Sequence, residues 1–229
     1  MTDVAIAPRD ATIEVSGEQV VLMADRALYW PRATTLLVAD AHFGKAATFR
    51  AGGIFVPRGT TANALARLDD ALARTRATRL IFLGDLLHAR EGRSAETLRI
   101  VGEWRAAHPA LRVVLVRGNH DRKAGDPPES LGIACADAPV LDGPFAFTHH
   151  PATIEGRYVI AGHVHPAVRL RGPGRQHERP PCFWIRRDAA VLPAFGDFTG
   201  VGDVDPVEGD RIFAVAGESV VSMPLPSRP

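Results

Sequence analysis

Cysteine is scarce in this sequence, which has only Cys135 and Cys182 among 229 residues. The two cysteines lack C-x-x-C spacing, so neither a disulfide framework nor a paired-thiolate metal site is indicated. No secretory signal precedes them, because the first ten residues contain an acid and lack an apolar core. We therefore expect a cytoplasmic protein in which both cysteines are reduced packing residues.

Long apolar runs are also missing, and no stretch reaches the roughly 18 residues that span a membrane. A charge excess of one sign is missing too: the net charge is +1, so bulk charge neither attracts nor repels polyanions. The composition, 46% hydrophobic and 23% charged, fits one soluble domain over residues 1–229 that buries a core. We accordingly expect no membrane partner.

Strands and helices alternate in the first half of the chain. Residues 58–76 place leucines at helical spacing, with Arg67 and Arg74 expected to face water. A second helix is expected over residues 94–107, with Ser94 at its start. This alternation predicts a parallel sheet covered by helices. After residue 144 the strands are closely spaced between Gly and Pro turns, which predicts a more antiparallel sheet.

Polar clusters directly follow five of the predicted strands. Open α/β sheets place their sites at such strand ends, because loops from several strands converge there. Seven of the nine histidines lie in these clusters or in the loop after Asp85, which scattered surface histidines would not do. The clusters are Asp40-x-His42, Gly84-Asp85, Gly118-Asn119-His120-Asp121, His149-His150 and Gly162-His163-x-His165.

The side chains of these clusters have the chemistry of metal ligands. Carboxylate, amide and imidazole groups suit Mn, Fe or Zn better than soft Cu(I). The candidates are enough for two divalent ions that share a carboxylate, and ions about 3.5–4 Å apart clamp the attacking and leaving oxygens of a phosphoryl group. Glycines before three of the ligands let the backbone turn sharply off the strand and let ions approach closely. The candidate ligands are Asp40, His42, Asp85, Asn119, His149, His163 and His165.

In their order and spacing across residues 36–165, the five motifs resemble those of the calcineurin-like metallophosphoesterases. The resemblance implies a four-layer α/β/β/α sandwich within the α/β class. It also implies which residues hold which ion. Asp40, His42 and His165 would hold the first ion, Asn119, His149 and His163 the second, and Asp85 would bridge them.

Longer segments, such as "THHP", "GHVHP" and "PCFWIRRDAAVLPAFGDFTG", resemble the bacterial DNA-ligase-associated metallophosphoesterases over about Ala27–Gly200. This narrower resemblance implies a manganese-dependent phosphodiesterase with single-strand DNA endonuclease activity in DNA repair. A DNA ligase and a helicase are the partners it implies. Two alternatives stay open: a hydrolase of small-molecule or nucleotide phosphoesters or pyrophosphates, and a non-catalytic partner protein.

Three residues are candidates for proton transfer and charge stabilisation. "GDLLH" resembles the GD-x-x-H loop of nuclease-type relatives, whereas protein phosphatases carry Asp and Arg where this chain has His88 and Ala89. We expect His88 to donate a proton, with a supporting hydrogen bond as the alternative. His120 is expected to neutralise phosphoryl charge or to act as the leaving-group acid, and Asp121 to orient the His120 ring.

Substrate contacts are expected from Lys45, Arg90 and His150, although an exposed helix face accounts equally well for Lys45. Adjacent residues on an extended chain point in opposite directions, so only His149 of the His149-His150 pair is expected to be a ligand.

A basic stretch lies at residues 165–187, with six arginines and one acid. Phe183 and Trp184 lie within it, so it fits either a single-strand binding surface or a strand core with arginines outside. Residues 197–210 contain five acids and no basic residue, and we expect a solvated loop there.

Overall fold

The computed structural model describes residues 9–56, 59–90, 92–171, 177–197 and 199–224. Within them two seven-stranded sheets dominate the architecture. Because parts of both termini lie outside these ranges, the expectation of one domain over the whole chain stays a prediction.

The described residues form eighteen strands and four α-helices. The strands are β1 (Ala11–Val15), β2 (Glu18–Met23), β3 (Ala27–Trp30), β4 (Thr35–Val38), β5 (Arg79–Leu83), β6 (Arg112–Val116), β7 (Ile133–Ala136), β8 (Val140–Asp142), β9 (Phe145–Phe147), β10 (Tyr158–Ala161), β11 (Pro166–Ala167), β12 (Leu170–Arg171), β13 (His177–Glu178), β14 (Cys182–Ile185), β15 (Ala189–Val191), β16 (Gly202–Asp203), β17 (Arg211–Ala216) and β18 (Ser219–Met223). The helices are α1 (Lys45–Ala51), α2 (Thr60–Thr75), α3 (Ala95–Ala107) and α4 (Asn119–Ala124).

The first sheet follows the chain, with its strands in the order β1 to β7. It is antiparallel from β1 to β4 and parallel from β4 to β7. The predicted alternation is confirmed, since α2 and α3 connect the parallel strands. Ser94 caps α3 by accepting a hydrogen bond from Thr97 N at 3.2 Å, as its position before the helix predicts.

The second sheet has the order β18-β17-β14-β15-β10-β9-β8. The prediction of an antiparallel sheet is wrong for its centre, where β10 pairs in parallel with both β9 and β15. Residues 148–157 return the chain to the start of β10 by a crossover instead of a hairpin turn. Short apolar runs are compatible with either connection, so the sequence does not distinguish them.

Two hydrophobic cores lie on opposite faces of the first sheet. In β4, Leu37 faces the second sheet and packs in one core with Phe145 and Phe183. Its neighbours Leu36 and Val38 face α2 and α3 in the other core. Successive side chains of β4 point to opposite faces, so the strand packs against the helices on one side and the second sheet on the other. This packing holds the carboxyl ends of β4 and β5 in fixed positions.

The outer face of the second sheet has a thinner cover. Its small residues, such as Ala146 and Ala189, pack against Ile154 of the 148–157 loop. No α-helix follows Ala124 in the described ranges, so a loop stands there in place of the fourth, helical layer. None of the helices in these ranges has the length and apolarity needed to cross a membrane.

Helix α2 differs from its predicted orientation in one respect. Arg74 is exposed as predicted, although it pairs with Asp10 and Asp25, whereas Arg67 is only partly exposed and donates to the Phe195 carbonyl. These partners are far away in the chain, so a helical repeat alone cannot reveal them.

Candidate metal centre

Loops from both sheets meet at one edge of the sandwich. Asp40 comes shortly after β4, Asp85 after β5 and Asn119 after β6, while His149 follows β9 and His163 follows β10. Strands β4, β5 and β6 are parallel in the first sheet, and β9 and β10 are parallel in the second. The carboxyl ends of parallel strands lie at the same edge of a sheet. The seven predicted ligands therefore form one connected cluster.

The first group of ligands is Asp40, His42 and His165, whose ligand atoms lie within 4.8 Å of one another. His165 Nε2 is 3.4 Å from Asp40 Oδ1, and His165 Nδ1 donates to the Gly200 carbonyl at 2.9 Å. In the neutral ring this leaves the Nε2 lone pair directed at the cluster. The second Asp40 oxygen accepts from His163 N at 2.8 Å, which orients the carboxylate.

The second group is Asn119, His149 and His163. His149 Nε2 lies 2.9 Å from Asn119 Oδ1 and 3.1 Å from His163 Nδ1. His149 Nδ1 donates to the Leu83 carbonyl at 2.9 Å, so the neutral ring presents a lone pair at Nε2. His149 Nε2 and Asn119 Oδ1 are then two acceptors that face each other, and a cation bound to both would stabilise this arrangement.

Asp85 lies between the two groups. Its Oδ2 is 3.4 Å from His149 Nε2 and 4.0 Å from His42 Nε2, while Oδ1 accepts from His120 N at 2.9 Å. The position fits a bridging carboxylate, although the assignment of each ligand to an ion stays a prediction.

Unsatisfied atoms provide the test of whether a metal fits. In the described residues, three buried side-chain atoms lack a hydrogen-bond partner: Asp40 Oδ1, His42 Nε2 and Arg67 Nε. Two of these are acceptors of the first group, and a buried unpaired acceptor is costly unless a cation satisfies it. Burial lowers the pKa of His42 to about 2, which keeps its ligand nitrogen unprotonated. Burial also raises the pKa of Asp85. The oxygen and nitrogen donors suit divalent cations of hard to borderline character.

Backbone conformation sets the ligands apart from the rest of the chain. Nine described non-glycine residues have a positive φ, and five of them are predicted ligands. This left-handed region is uncommon for residues with a Cβ, and such strain concentrates at functional sites. The sequence patterns did not predict it. The five are Asp40 (φ 54°), His42 (47°), Asp85 (53°), His163 (69°) and His165 (51°).

The glycines at positions 118 and 162 have ligand side chains packed closely against them. A Cβ at Gly118 would lie 2.3 Å from Asp85 Oδ1, and one at Gly162 would lie 2.5 Å from Asp40 Oδ2. No side chain fits at either position without moving a ligand.

His88 and His120 stack beside the first group, with ring centroids 5.0 Å apart. His120 Nδ1 donates to the His88 carbonyl at 2.6 Å, and His120 Nε2 lies 3.9 Å from Asp85 Oδ2. His88 Nδ1 is 3.4 Å from His42 Nδ1. Both predicted catalytic histidines therefore lie next to the cluster, and their roles stay predictions.

Asp121 has a different position from the predicted one. It was expected to orient the His120 ring, but that ring bonds to the His88 carbonyl instead. The Asp121 carboxylate accepts from the backbone N–H groups of Asp85 at 2.7 Å, Gly118 at 2.8 Å and Leu86 at 3.0 Å. Burial raises the pKa of this carboxyl. Asp121 thus joins the loops after β5 and β6.

Removing this carboxylate should destabilise the protein. Asp121→Ala leaves three buried N–H groups without an acceptor, and we expect a loss of about 3–5 kcal/mol in the free energy of unfolding. Urea denaturation measures the change. Asp137→Ala is the matched control, because Asp137 is exposed and pairs only with arginines at the surface, so we expect a loss of under about 1 kcal/mol. Equal effects of the two variants would contradict the prediction.

The three predicted substrate contacts differ in position. Lys45 begins α1, and burial lowers its pKa while Asp40 and Asp85 raise it, which places its charge near both carboxylates. Arg90 is exposed and donates to the Lys123 carbonyl at 3.3 Å.

His150 is closer to the metal ligands than its sequence position predicts. Its ring lies 4.0 Å from the His163 ring, and it can join His149 and His163 as a ligand. Opposite orientation of neighbours holds within a strand, but β9 ends at Phe147, so the rule does not apply here.

The basic stretch is mainly strand and paired charge. Phe183 is fully buried, so the prediction of a stacking role is wrong for it and the strand-core alternative holds. Trp184 Nε1 donates to Asp210 at 2.8 Å, and Arg169 and Arg179 both pair with Asp203. Residues 197–210 are therefore not simply a solvated loop, since Asp203 and Asp210 bind side chains of the basic stretch. Residues 172–176 of the basic stretch lie outside the described residues.

Comparison with solved structures gives a match over nearly the whole chain. No family model and no curated protein match the sequence. Among solved structures, the nuclease MPE of Pseudomonas putida is 45% identical, with a TM-score of 0.83, over 93% of this chain and 100% of that chain. YfcE, a phosphoesterase from E. coli, is 16% identical over 82% of this chain and 96% of that one, with a TM-score of 0.40.

Two large sheets with an Asp and His cluster at the carboxyl ends of their strands define a metal-dependent phosphoesterase. The chain is thus an enzyme, and its site binds divalent metal. It belongs to the calcineurin-like metallophosphoesterase family, as its five motifs predict. The expected α/β fold with two large sheets is confirmed as well, with a loop in place of its fourth layer in the described residues.

Proposed function

We propose that this protein is a manganese-dependent phosphodiesterase that cuts single-stranded DNA internally and acts in DNA repair. The observation that carries the proposal is the pair of ligand groups with the Asp85 carboxylate between them. The 45% identity with a nuclease over nearly the whole chain supports a nucleic acid as the substrate.

The two ligand groups give each cation a nearly complete set of protein donors. Asp40, His42 and His165 would hold one, and the second group would hold the other, with Asp85 between them. When bound, such cations stabilise negative charge on the phosphoryl oxygens and on the attacking and leaving oxygens. The mixed oxygen and nitrogen donors suit Mn²⁺.

The histidines beside the cluster would move the protons. Donation from Nδ1 to the His88 carbonyl holds the His120 ring, so Nε2 is the atom that can exchange a proton with substrate. His88 lies on the other side of the stack, against the ring of Phe49 at 6.1 Å between centroids. Either imidazole can protonate a leaving alkoxide, which otherwise departs slowly from phosphorus.

The openness of the site favours a polymer over a small enclosed substrate. His150 and His163 are both exposed, and no helix in the described ranges covers them. Clefts of about 420 Å³ and 180 Å³ flank the cluster, the larger beside Asn119 and His149 and the smaller beside His165. A strand that crosses the edge would have room on both sides of the cut.

The cellular setting is part of the proposal through the family resemblance. We expect a cytoplasmic enzyme that works with a DNA ligase and a helicase. Copurification of the tagged protein with either enzyme from its own cells, resistant to DNase, would support this association, and its absence would limit the proposal to the chemistry.

The decisive experiment presents the purified protein with circular single-stranded DNA and with the same circle in duplex form. Stripped enzyme would be reloaded separately with Mn²⁺, Zn²⁺, Fe²⁺ and Mg²⁺. We expect Mn²⁺ to restore cutting of the single-stranded circle most strongly. A chromogenic monoester and diester are assayed in parallel. Hydrolysis of the monoester alone would replace the proposal with a phosphatase.

His88 should matter more for poor leaving groups than for good ones. If it protonates the leaving oxygen, His88→Gln lowers DNA cleavage by about 10²-fold or more, because general acid catalysis contributes this much. Cleavage of bis(p-nitrophenyl) phosphate should change little, since nitrophenolate leaves without a proton. His108→Gln is the control, as His108 pairs with Asp69 away from the cluster. Equal losses on both substrates would assign His88 a supporting role.

A further inference from the structure

We propose that Arg26 and Arg67 form a second anion subsite, which binds a phosphate of the DNA strand next to the scissile one. This inference rests on the proposed function, because it extends the same substrate beyond the metal cluster. Neither residue lies in a motif that points to metal binding.

The two arginines share one carboxylate. Arg26 lies in the turn between β2 and β3, Arg67 lies on α2, and Asp197 lies in the loop after β15. Arg26 Nη1 and Arg67 Nη1 are 3.4 Å and 3.5 Å from the same Asp197 oxygen. Charge-assisted hydrogen bonds are normally about 2.7–2.9 Å long, so both contacts are loose. Arg26, Arg67 and Asp197, here called the trio, together carry one net positive charge.

The positive charge is held rigidly and is incompletely compensated. Arg67 packs with its guanidinium carbon 4.6 Å from the centre of the Phe195 ring and donates to the Phe195 carbonyl, yet its Nε is buried without a partner. Burial and the neighbouring charge of Arg67 lower the pKa of Arg26, whereas Asp197 raises it. Two crowded cations of this kind are stabilised by a further anion.

The subsite is continuous with the metal cluster. Arg26 and Asp197 line the 180 Å³ cleft together with Thr199 and His165. Arg67 does not line the cleft and adds its charge through its contact with Asp197. One loop connects both sites, since Gly196 N donates to the Asp40 carbonyl at 3.0 Å and His165 donates to Gly200. A phosphate in this cleft therefore lies beside a candidate ligand of the first group.

The charges indicate a phosphodiester linkage as the ligand. Each such linkage carries one negative charge, which matches the net charge of the trio. Asp197 then acts as an internal counter-ion that competes with the substrate. Removal of the carboxylate should therefore strengthen DNA binding, whereas a purely structural ion pair predicts the opposite.

The test measures binding of a fluorescein-labelled single strand by anisotropy, with the full-length metal-loaded protein. Phosphorothioate linkages keep every charge of the strand and resist cleavage. Arg26→Gln should weaken binding about fivefold to tenfold and reduce the salt slope by about 0.7–1. Asp197→Asn should tighten binding. Arg79→Gln is the matched control. Arg79 is similarly buried and pairs with Asp142, but it begins β5, at the end of the strand opposite to the metal cluster.

The outcomes separate the subsite from the proposed function. Arg26→Gln should lower cleavage of bis(p-nitrophenyl) phosphate much less than cleavage of DNA, since that diester has no second phosphate. If the wild type cuts no DNA but the binding changes occur as expected, the proposed function fails and the subsite stands. If the wild type cuts DNA but Asp197→Asn weakens binding, the trio is a structural clamp and the inference is overturned. Should Arg26→Gln not fold, the direction of the Asp197→Asn effect decides.

Discussion

The Asp85→Ala variant is expected to lose phosphodiester cleavage by about three orders of magnitude or more, because both cations lose the ligand between them. The variant also removes the acceptor for His120 N, which positions a candidate proton donor. The fold should survive, since the Asp85 backbone N–H keeps its bond to Asp121.

Three measurements check this expectation together. Circular dichroism and thermal unfolding show whether the variant is folded, and mass spectrometry of the metals gives the bound ions per chain. Asp70→Ala serves as the control, because Asp70 is an exposed residue on α2 away from the cluster. If folded Asp85→Ala keeps wild-type turnover with added Mn²⁺, the assignment of Asp85 is wrong.

Gly84→Ala is expected to displace a ligand side chain although it replaces none of the ligands itself. A Cβ at Gly84 would lie 2.2 Å from His149 Nδ1, the atom that bonds to the Leu83 carbonyl. The imidazole must move, so Nε2 loses its place opposite Asn119. We expect about 10²-fold lower activity and occupancy of about one ion instead of two, since small displacements of ligands have large effects.

Gly17 provides a control for the backbone strain that alanine introduces at a positive φ. Gly84 has a φ of 79°, and Gly17, in the turn between β1 and β2, has a φ of 76° with nothing near its Cβ position. Gly17→Ala should therefore cost only about 1–2 kcal/mol of left-handed strain and leave metal content unchanged. If both variants keep two ions and full activity, the close packing of Gly84 against His149 has no functional role.

Local pattern was sufficient where the relevant contacts are local. Leucine spacing predicted α2 closely, and Ser94 predicted the start of α3, because both depend on neighbours in the chain. Polar residues at strand ends likewise indicated the site, since parallel strands bring their ends together.

Pattern failed where the partner is distant. Asp121 follows His120 directly, which made an interaction between them a reasonable expectation, but its carboxylate binds the backbone of residues 85 and 86. Arg67 has the spacing of a solvent-facing residue, yet it interacts with a loop more than a hundred positions away. The short helix α4 was also missed, because it has too few residues for a helical repeat to be recognised.

The sequence by itself determined the chemistry of this protein: which carboxylates, amides and imidazoles are present, and that each follows a strand. Tertiary structure alone decided how those groups are used. It left Asp40 Oδ1 and His42 Nε2 buried without partners, placed Asp85 between two ligand groups, and set Arg26 and His165 along one cleft. The physical reason is that donor type and strand order are written along the chain, whereas burial and contacts of a few ångströms arise only when distant loops pack together.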